Sequence, residues 1–217
     1  MPRRVVTAKQ CADAPIVRPP SPNPPPLDSA KPIQDVGVME TLEKVILVDD
    51  CDREIGTGEK HDVHRQGLLH RAFSVIVWDR ADRLLLQKRH IGKYHSGGLW
   101  TNACCGHPRP GEDCAAAAER RLPQEMGFLC PLEPVGTIRY RAELDHDMIE
   151  HEIVHVFHGV HNGPIVPNPE EAEDYRWASV REVQADALAA PERYTAWFRK
   201  YLKAQWPVMR AVPEKSN

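Results

Sequence analysis

A chain of 217 residues with a net charge of −3 and 41% hydrophobic residues is long enough for one sizeable core, and its balanced charge provides no footprint for nucleic acid or an anionic membrane. No apolar run approaches the roughly 18 residues that a membrane helix requires, so neither nucleic acid nor a membrane is an expected partner. Six cysteines, two of them adjacent and with no signal peptide ahead of them, do not resemble a secreted disulfide framework, and a reduced cytoplasmic protein is expected.

Residues 1–40 hold nine prolines, among them Pro19-Pro20 and Pro24-Pro25-Pro26, and show neither helical nor alternating periodicity. Such a stretch predicts a disordered, polyproline-like tail ahead of a folded domain over 41–217. Arg3 and Arg4 lead into no apolar or amphipathic stretch of the kind a targeting peptide needs. Order begins with a short apolar strand over 44–49, then a turn over 50–58 and a polar segment containing Lys60 and His64. Residues 71–78 alternate and are rich in β-branched and aromatic side chains, which predicts a strand; 83–89 is its expected hairpin partner across 79–82.

The segment Trp100-Thr101-Asn102-Ala103-Cys104-Cys105-Gly106-His107-Pro108 gathers two thiols, an imidazole and a glycine at a junction of strand, loop and helix. A helix follows over 112–126, with Glu112 and Asp113 at its positive end and Gly127 as its C′ residue. Pro123 predicts a kink or an early end, because it removes one backbone hydrogen bond and clashes with the preceding turn. Paired strands are expected over 137–144 and 148–161. The second has a period of two that places Glu150, Glu152, Val154 and Val156 on one face, opposite Ile149, Ile153 and Phe157. A short strand over 174–178 and helices over 180–189 and 191–205 complete an α+β single domain, a mixed β-sheet flanked by α-helices.

Two constellations carry chemistry. His64, His70 and His107 with Glu150 and Glu152 are the residue types that ligate zinc, manganese or iron, although His61, His95, His151, His155 and His158 are equally eligible by type. More specific is the frame Gly106, five residues, Glu112, seven residues, Arg120, then Glu125-Met126-Gly127-Phe128. It matches the Nudix box, a loop and helix whose carboxylates hold divalent cations against a diphosphate. Arg121 and Gln124 stand where that motif has glutamates, so the hydrolytic acid cluster is depleted. A Nudix hydrolase and a non-enzymatic module closed around a structural metal, with Cys104 and Cys105 as ligands, are the alternative readings.

From about Lys44 to Leu202 the chain resembles the type I isopentenyl-diphosphate isomerase family, which has a Nudix fold and converts isopentenyl to dimethylallyl diphosphate. The likeness rests on Leu69-His70-Arg71-Ala72-Phe73-Ser74, Trp100-Thr101-Asn102 through Cys105-Gly106-His107-Pro108, Arg139-Tyr140-Arg141-Ala142, Glu150-His151-Glu152 and Asp174-Tyr175-Arg176-Trp177. It implies that Cys105 and Glu152 are catalytic, with Tyr140 hydrogen-bonded to the glutamate. It also implies that His64, His70, His107, Glu150 and Glu152 hold a zinc or manganese ion, with His61 a weaker rival in that set, and that Glu125 helps to hold a diphosphate-bound magnesium ion. Lys60, Arg89, Lys93 and Arg121 would surround the phosphates and Trp197 would face the carbon skeleton. The implied partner is the small-molecule substrate isopentenyl diphosphate, bound by a monomer or weak homodimer.

Overall fold

The computed structural model describes residues 43–205, with side chains as far as Lys203, and the proline-rich stretch over 1–40 lies outside the described residues. The fold is organised by β3 (His70–Trp78), in which every residue except Arg71 is buried. A strand this apolar must be covered on both faces. It runs parallel to β8 (Ile149–Val160) in unbroken register from His70↔Glu152 to Trp78↔Val160. Strand β8 pairs antiparallel with β7 (Leu132–Glu143), setting Tyr140 opposite Glu152. The other edge of β3 meets β1 (Lys44–Val48) at Leu47↔His70 and β6 (Cys104–Gly106) at Ser74↔Cys105.

Alternation along β3 splits the core into two layers. Ala72 and Ile76 join Ile138, Val154 and Val156 beneath Trp197, Phe198 and Tyr201 of the C-terminal segment. Phe73, Val75, Val77 and Cys104 face the other way, onto Ala117, Ala118, Leu122 and Met126 of α2 (Cys114–Met126). The mixed sheet flanked by helices is the architecture expected from the sequence.

Several boundaries differ from expectation, each for a local reason. The stretch expected as a turn over 50–58 contains a strand, β2 (Glu54–Glu59), held to β1 by backbone pairing rather than by an apolar face. The turn itself is confined to Asp49–Arg53, where the Asp49 carboxylate accepts the N–H groups of Cys51 and Arg53. The polar segment after it is a short helix, α1 (Lys60–Gln66), capped by Glu59 and closed by Gly67 at φ 63°; it buries only Val63 and His64, too few for a visible period.

The expected hairpin between β3 and β4 (Arg83–Arg89) is reduced to the pair Trp78↔Leu84. Strand β4 instead pairs with β9 (Ala172–Ser179) and with β5 (Trp100–Asn102), because β6 occupies the adjoining edge of β3. Helix α2 does not end at Pro123 but continues to Met126 and Gly127. The bond that proline cannot make falls at the carbonyl of Glu119, an exposed residue. After α3 (Val180–Ala189), the single helix expected over 191–205 is interrupted. A 3-10 turn at Pro191–Arg193 gives way to extended Tyr194 and Thr195, then α4 (Ala196–Lys200) and a π turn. The break is held by Tyr194, which bridges to Trp100 and places its hydroxyl between Arg176 and Asp186.

Candidate active site

Strand register assembles the site. Residues paired across neighbouring strands share a face, so His70, Ser74, Cys105, Glu152 and Tyr140 point to the same side of the sheet. Ser74, Cys105, Tyr140, Glu150 and Glu152 line a cavity of about 720 Å³, as do His107, Lys60, Arg89, Lys93, Arg121, Glu125 and Trp197.

At one end of it the ligand atoms of His64, His70, His107 and Glu152 lie within 4.8 Å of one another. The Nδ1 atoms of His64 and His70 donate to the carbonyls of Lys60 at 2.7 Å and Leu68 at 2.9 Å. A carbonyl only accepts, so each ring carries its hydrogen on Nδ1 and leaves a lone pair on Nε2. His64 Nε2 is buried without a partner among the described residues. His70 Nε2 and His107 Nε2 are 3.2 Å apart, and Glu152 Oε1 is 3.4 and 3.1 Å from them. Burial and the neighbouring His107 and His70 lower the His64 pKa to about 3, so the ring is neutral. The Nε2 lone pairs of His64 and His70, each with its Nδ1 anchored to a backbone carbonyl, converge with His107 Nε2 and the Glu152 carboxylate, a donor set that fits a divalent cation.

Glu150, expected as a fifth ligand, lies outside this group of four. Its carboxyl meets the Tyr140 hydroxyl at 2.8 Å, and His95 Nε2 is 3.9 Å away. The same hydroxyl is 2.6 Å from Glu152. A phenol has a single hydrogen, so two such contacts require a second proton in the trio. Burial, followed by the charge of Glu152, raises the Glu150 pKa well above the carboxylate range, so Glu150 carries it. His61 does not join the ligands either; it stacks on Tyr94 at 4.8 Å.

The two adjacent thiols separate by face. Cys104 is fully buried in the layer against α2, whereas Cys105 is half-buried at the cavity, donating to Asn102 Oδ1 at 3.2 Å and lying 3.3 Å from Ser74 Oγ. Burial pushes the Cys105 pKa up to about 12, so it holds its proton. The basic residues are paired with acids: Lys60 with Glu43 at 2.8 Å, Arg121 with Glu125 at 2.7 Å and Glu171 at 3.1 Å, and Lys93 with Glu171. Glu125 also accepts from Gln87 at 2.9 Å. Arg89 lies 5.3 Å from the Trp197 ring centroid.

Sequence reasoning missed Ser74, Tyr94, Glu171 and Tyr201 in this cavity. Alternation from His70 through Ala72 was a signal for Ser74. No periodic pattern marks Tyr94 in its loop, and Tyr201 reaches the cavity on the C-terminal segment that packs over the sheet.

The NUDIX domain family pattern matches residues 68–198. A protein of Aromatoleum aromaticum named isopentenyl-diphosphate Delta-isomerase 1 is 53% identical over 155 residues, which cover 71% of this chain and 88% of that protein. The isopentenyl-diphosphate Delta-isomerase of Burkholderia multivorans is 49% identical over 168 residues, covering 77% of this chain and 96% of the relative. The chain belongs to the isopentenyl-diphosphate Delta-isomerase family. Solved structures share its fold: DR0079 from Deinococcus radiodurans aligns with a TM-score of 0.62 at 14% identity, over 74% of this chain and 97% of that one. A MutT protein from Methanosarcina mazei aligns at 0.54 and 17% identity, over 65% and 96%.

In this member of the isomerase family the altered Nudix box has a structural expression. The Arg121 guanidinium occupies the Glu125 and Glu171 carboxylates and Gln124 bonds to Arg121 at 3.1 Å, leaving few free acids on that helix. Neither Cys104 nor Cys105 joins the four clustered ligands, which removes the basis for a closed structural metal site built on them.

Proposed function

We propose that this chain interconverts isopentenyl and dimethylallyl diphosphate by adding a proton at one carbon and removing one from another. Cys105 and Glu152 are its proton-handling pair. The observation that carries this reading is that the Cys105 thiol and the hydrogen-bonded trio of Glu150, Tyr140 and Glu152 line one cavity. One group delivers a proton to the terminal methylene carbon, which generates a tertiary cation. The other takes a proton from the methylene carbon next to that centre, and the double bond has moved by one position. Roles exchange in the reverse direction, and the proton count of the enzyme is restored in each turnover. Tyr140 keeps the Glu152 carboxylate oriented and connected to the proton on Glu150. The Trp197 ring face stabilises the cation by about 2 kcal/mol when desolvated.

Lys60, Arg89, Lys93 and Arg121 hold the diphosphate, with Lys60, Lys93 and Arg121 exchanging their present carboxylate partners for phosphate oxygens. His64, His70, His107 and Glu152 would hold zinc or manganese and Glu125 a magnesium ion, and these cations would supply fixed positive charge beside the carboxylate and the diphosphate. This reading also includes a cytoplasmic enzyme that is a monomer or weak homodimer. No helix among the described residues is long and apolar enough to cross a membrane.

Turnover of isopentenyl diphosphate in heavy water tests the mechanism. Deuterium should enter the methyl group formed from the terminal methylene, and phosphorus NMR should show an intact diphosphate. Inorganic phosphate released as fast as substrate disappears would establish a hydrolase instead. Isomerisation without deuterium uptake would exclude exchangeable side-chain acids.

A further inference from the structure

Three donors of residues that line the cavity have buried atoms and no protein acceptor among the described residues: Arg89 Nε, Trp197 Nε1 and the Tyr94 hydroxyl. Arg89 and Trp197 already have places in the proposed reaction, and Tyr94 has none. It sits in the connection between β4 and β5, and its ring is fixed from several directions. His61 stacks on it at 4.8 Å, and the Lys60 ammonium lies 4.9 Å from the ring centroid. His95 meets the ring in a T-shaped contact at 4.3 Å and His64 does so at 5.9 Å. Two of these residues, Lys60 and His61, open α1, the helix that also carries the metal-ligand candidate His64. A ring packed in this way cannot swing its hydroxyl into solvent, and a desolvated O–H without an acceptor is a standing cost to the folded protein. Such costs persist where a ligand removes them.

The chemistry of the proposed substrate identifies the acceptor. Isopentenyl diphosphate is hydrocarbon except for its diphosphate, so a cavity donor satisfied by this molecule is satisfied by a phosphate oxygen. The position agrees, because the ring lies against Lys60 and the cavity also presents Arg89, Lys93 and Arg121. We infer that the Tyr94 hydroxyl is a further substrate-binding group, donating a hydrogen bond to a diphosphate oxygen, and that Lys60 and His61 hold its ring in place for that bond. The inference rests on the isomerase reading for the identity of the substrate.

The test compares the full-length protein with Tyr94→Phe, which keeps the ring and removes only the hydroxyl. Calorimetry with inorganic pyrophosphate and magnesium should show Kd rising about tenfold, the effect of losing one hydrogen bond to a charged acceptor. KM for isopentenyl diphosphate should rise in parallel with little change in kcat, as for a group that binds ground and transition states alike. The melting temperature should be unchanged or higher. Unchanged pyrophosphate affinity would overturn the inference. A variant that melts several degrees lower, or does not fold, would assign the hydroxyl to the fold and overturn it equally. A measurement on the wild-type protein needs no variant to fold: with ring-labelled tyrosine, the NMR signal of Tyr94 should move on titration with pyrophosphate, and a set of tyrosine signals that all stay fixed sinks the idea. Wild-type protein that binds pyrophosphate with the Tyr94 dependence but does not isomerise the substrate would leave this inference standing and remove the proposed reaction.

Discussion

His70 and Glu152 stand directly opposite one another on parallel neighbouring strands, with His70 Nε2 3.4 Å from Glu152 Oε1. Their geometry is set by the backbone ladder between β3 and β8, and both side chains are buried. His107 follows β6, which is itself held to β3, so the three elements present their ligand atoms from a common rigid frame. Loss of one ligand should therefore leave the others in place. His64→Ala should lower affinity for the divalent metal proposed to bind at these residues by roughly a hundredfold, at or beyond what outer-shell partners cost. Elemental analysis after dialysis, with circular dichroism to confirm the fold, checks this; full metal retention would remove His64 from the site.

The adjacent cysteines should respond differently to the same substitution. Cys105→Ala should lower kcat by about 10²–10⁴, the contribution of a positioned acid or base, with an unchanged melting curve. Cys104→Ala should keep turnover and lose about 1 kcal/mol of stability, because its sulfur is buried against α2. Kinetics and urea denaturation on both variants separate the two roles.

Tyr140→Phe removes the hydroxyl that bridges Glu150 and Glu152. Two carboxyls are then left side by side with a single acidic proton between them. A fall in kcat of about 10² is expected, with KM nearly unchanged, since the role proposed for the tyrosine is at the reacting end and not at the diphosphate. Steady-state kinetics that show only a KM effect would place Tyr140 outside the chemistry.

Away from the cavity, Asp52 links β1 and β2 to the sheet by accepting from Arg71 at 2.8 Å and His155 at 2.7 Å. Burial raises its pKa, but the hydrogen bonds from His155 and Arg71 outweigh that and hold it below the ordinary value of 3.8. A depressed native pKa means that the unfolded state binds the proton first. This contribution to stability is therefore complete above about pH 3.8 and is lost as pH falls through the native value. Asp52→Asn should flatten the acid limb of the stability curve in that window. Denaturant titrations of wild type and variant across it are the check, and parallel curves would show that the pair contributes nothing there.

The period of two over 148–161 and the apolar run at 71–78 were enough to place Glu150 with Glu152 and to define the strands that carry the site. The Gly106 to Phe128 frame located the loop and helix, and that frame together with the stretches over 69–74, 100–108, 139–142, 150–152 and 174–177 carried the family resemblance. These features are local: side-chain alternation, turn chemistry and motif spacing are written along the chain and need no partner to be read. Helix α1 was not legible, because seven mostly polar residues gain their helix from the Glu59 cap, the Gly67 stop and tertiary packing rather than from a period. The exchange of partners by β4 was equally hidden, since any apolar strand offers two edges and only the occupation of β3 by β6 settles which neighbour it takes.

Residue types alone made eight histidines eligible as ligands, and the sequence could name His64, His70 and His107 only by resemblance. Tertiary structure decided that these three and Glu152 converge, that Glu150 turns to Tyr140, and that Tyr94, whose hydroxyl has no partner among the described residues, lines the same cavity. The physical reason is that convergence depends on registers between strands far apart in sequence. A one-residue slip of β8 against β3 would keep every local pattern intact and turn Glu152 to the opposite face.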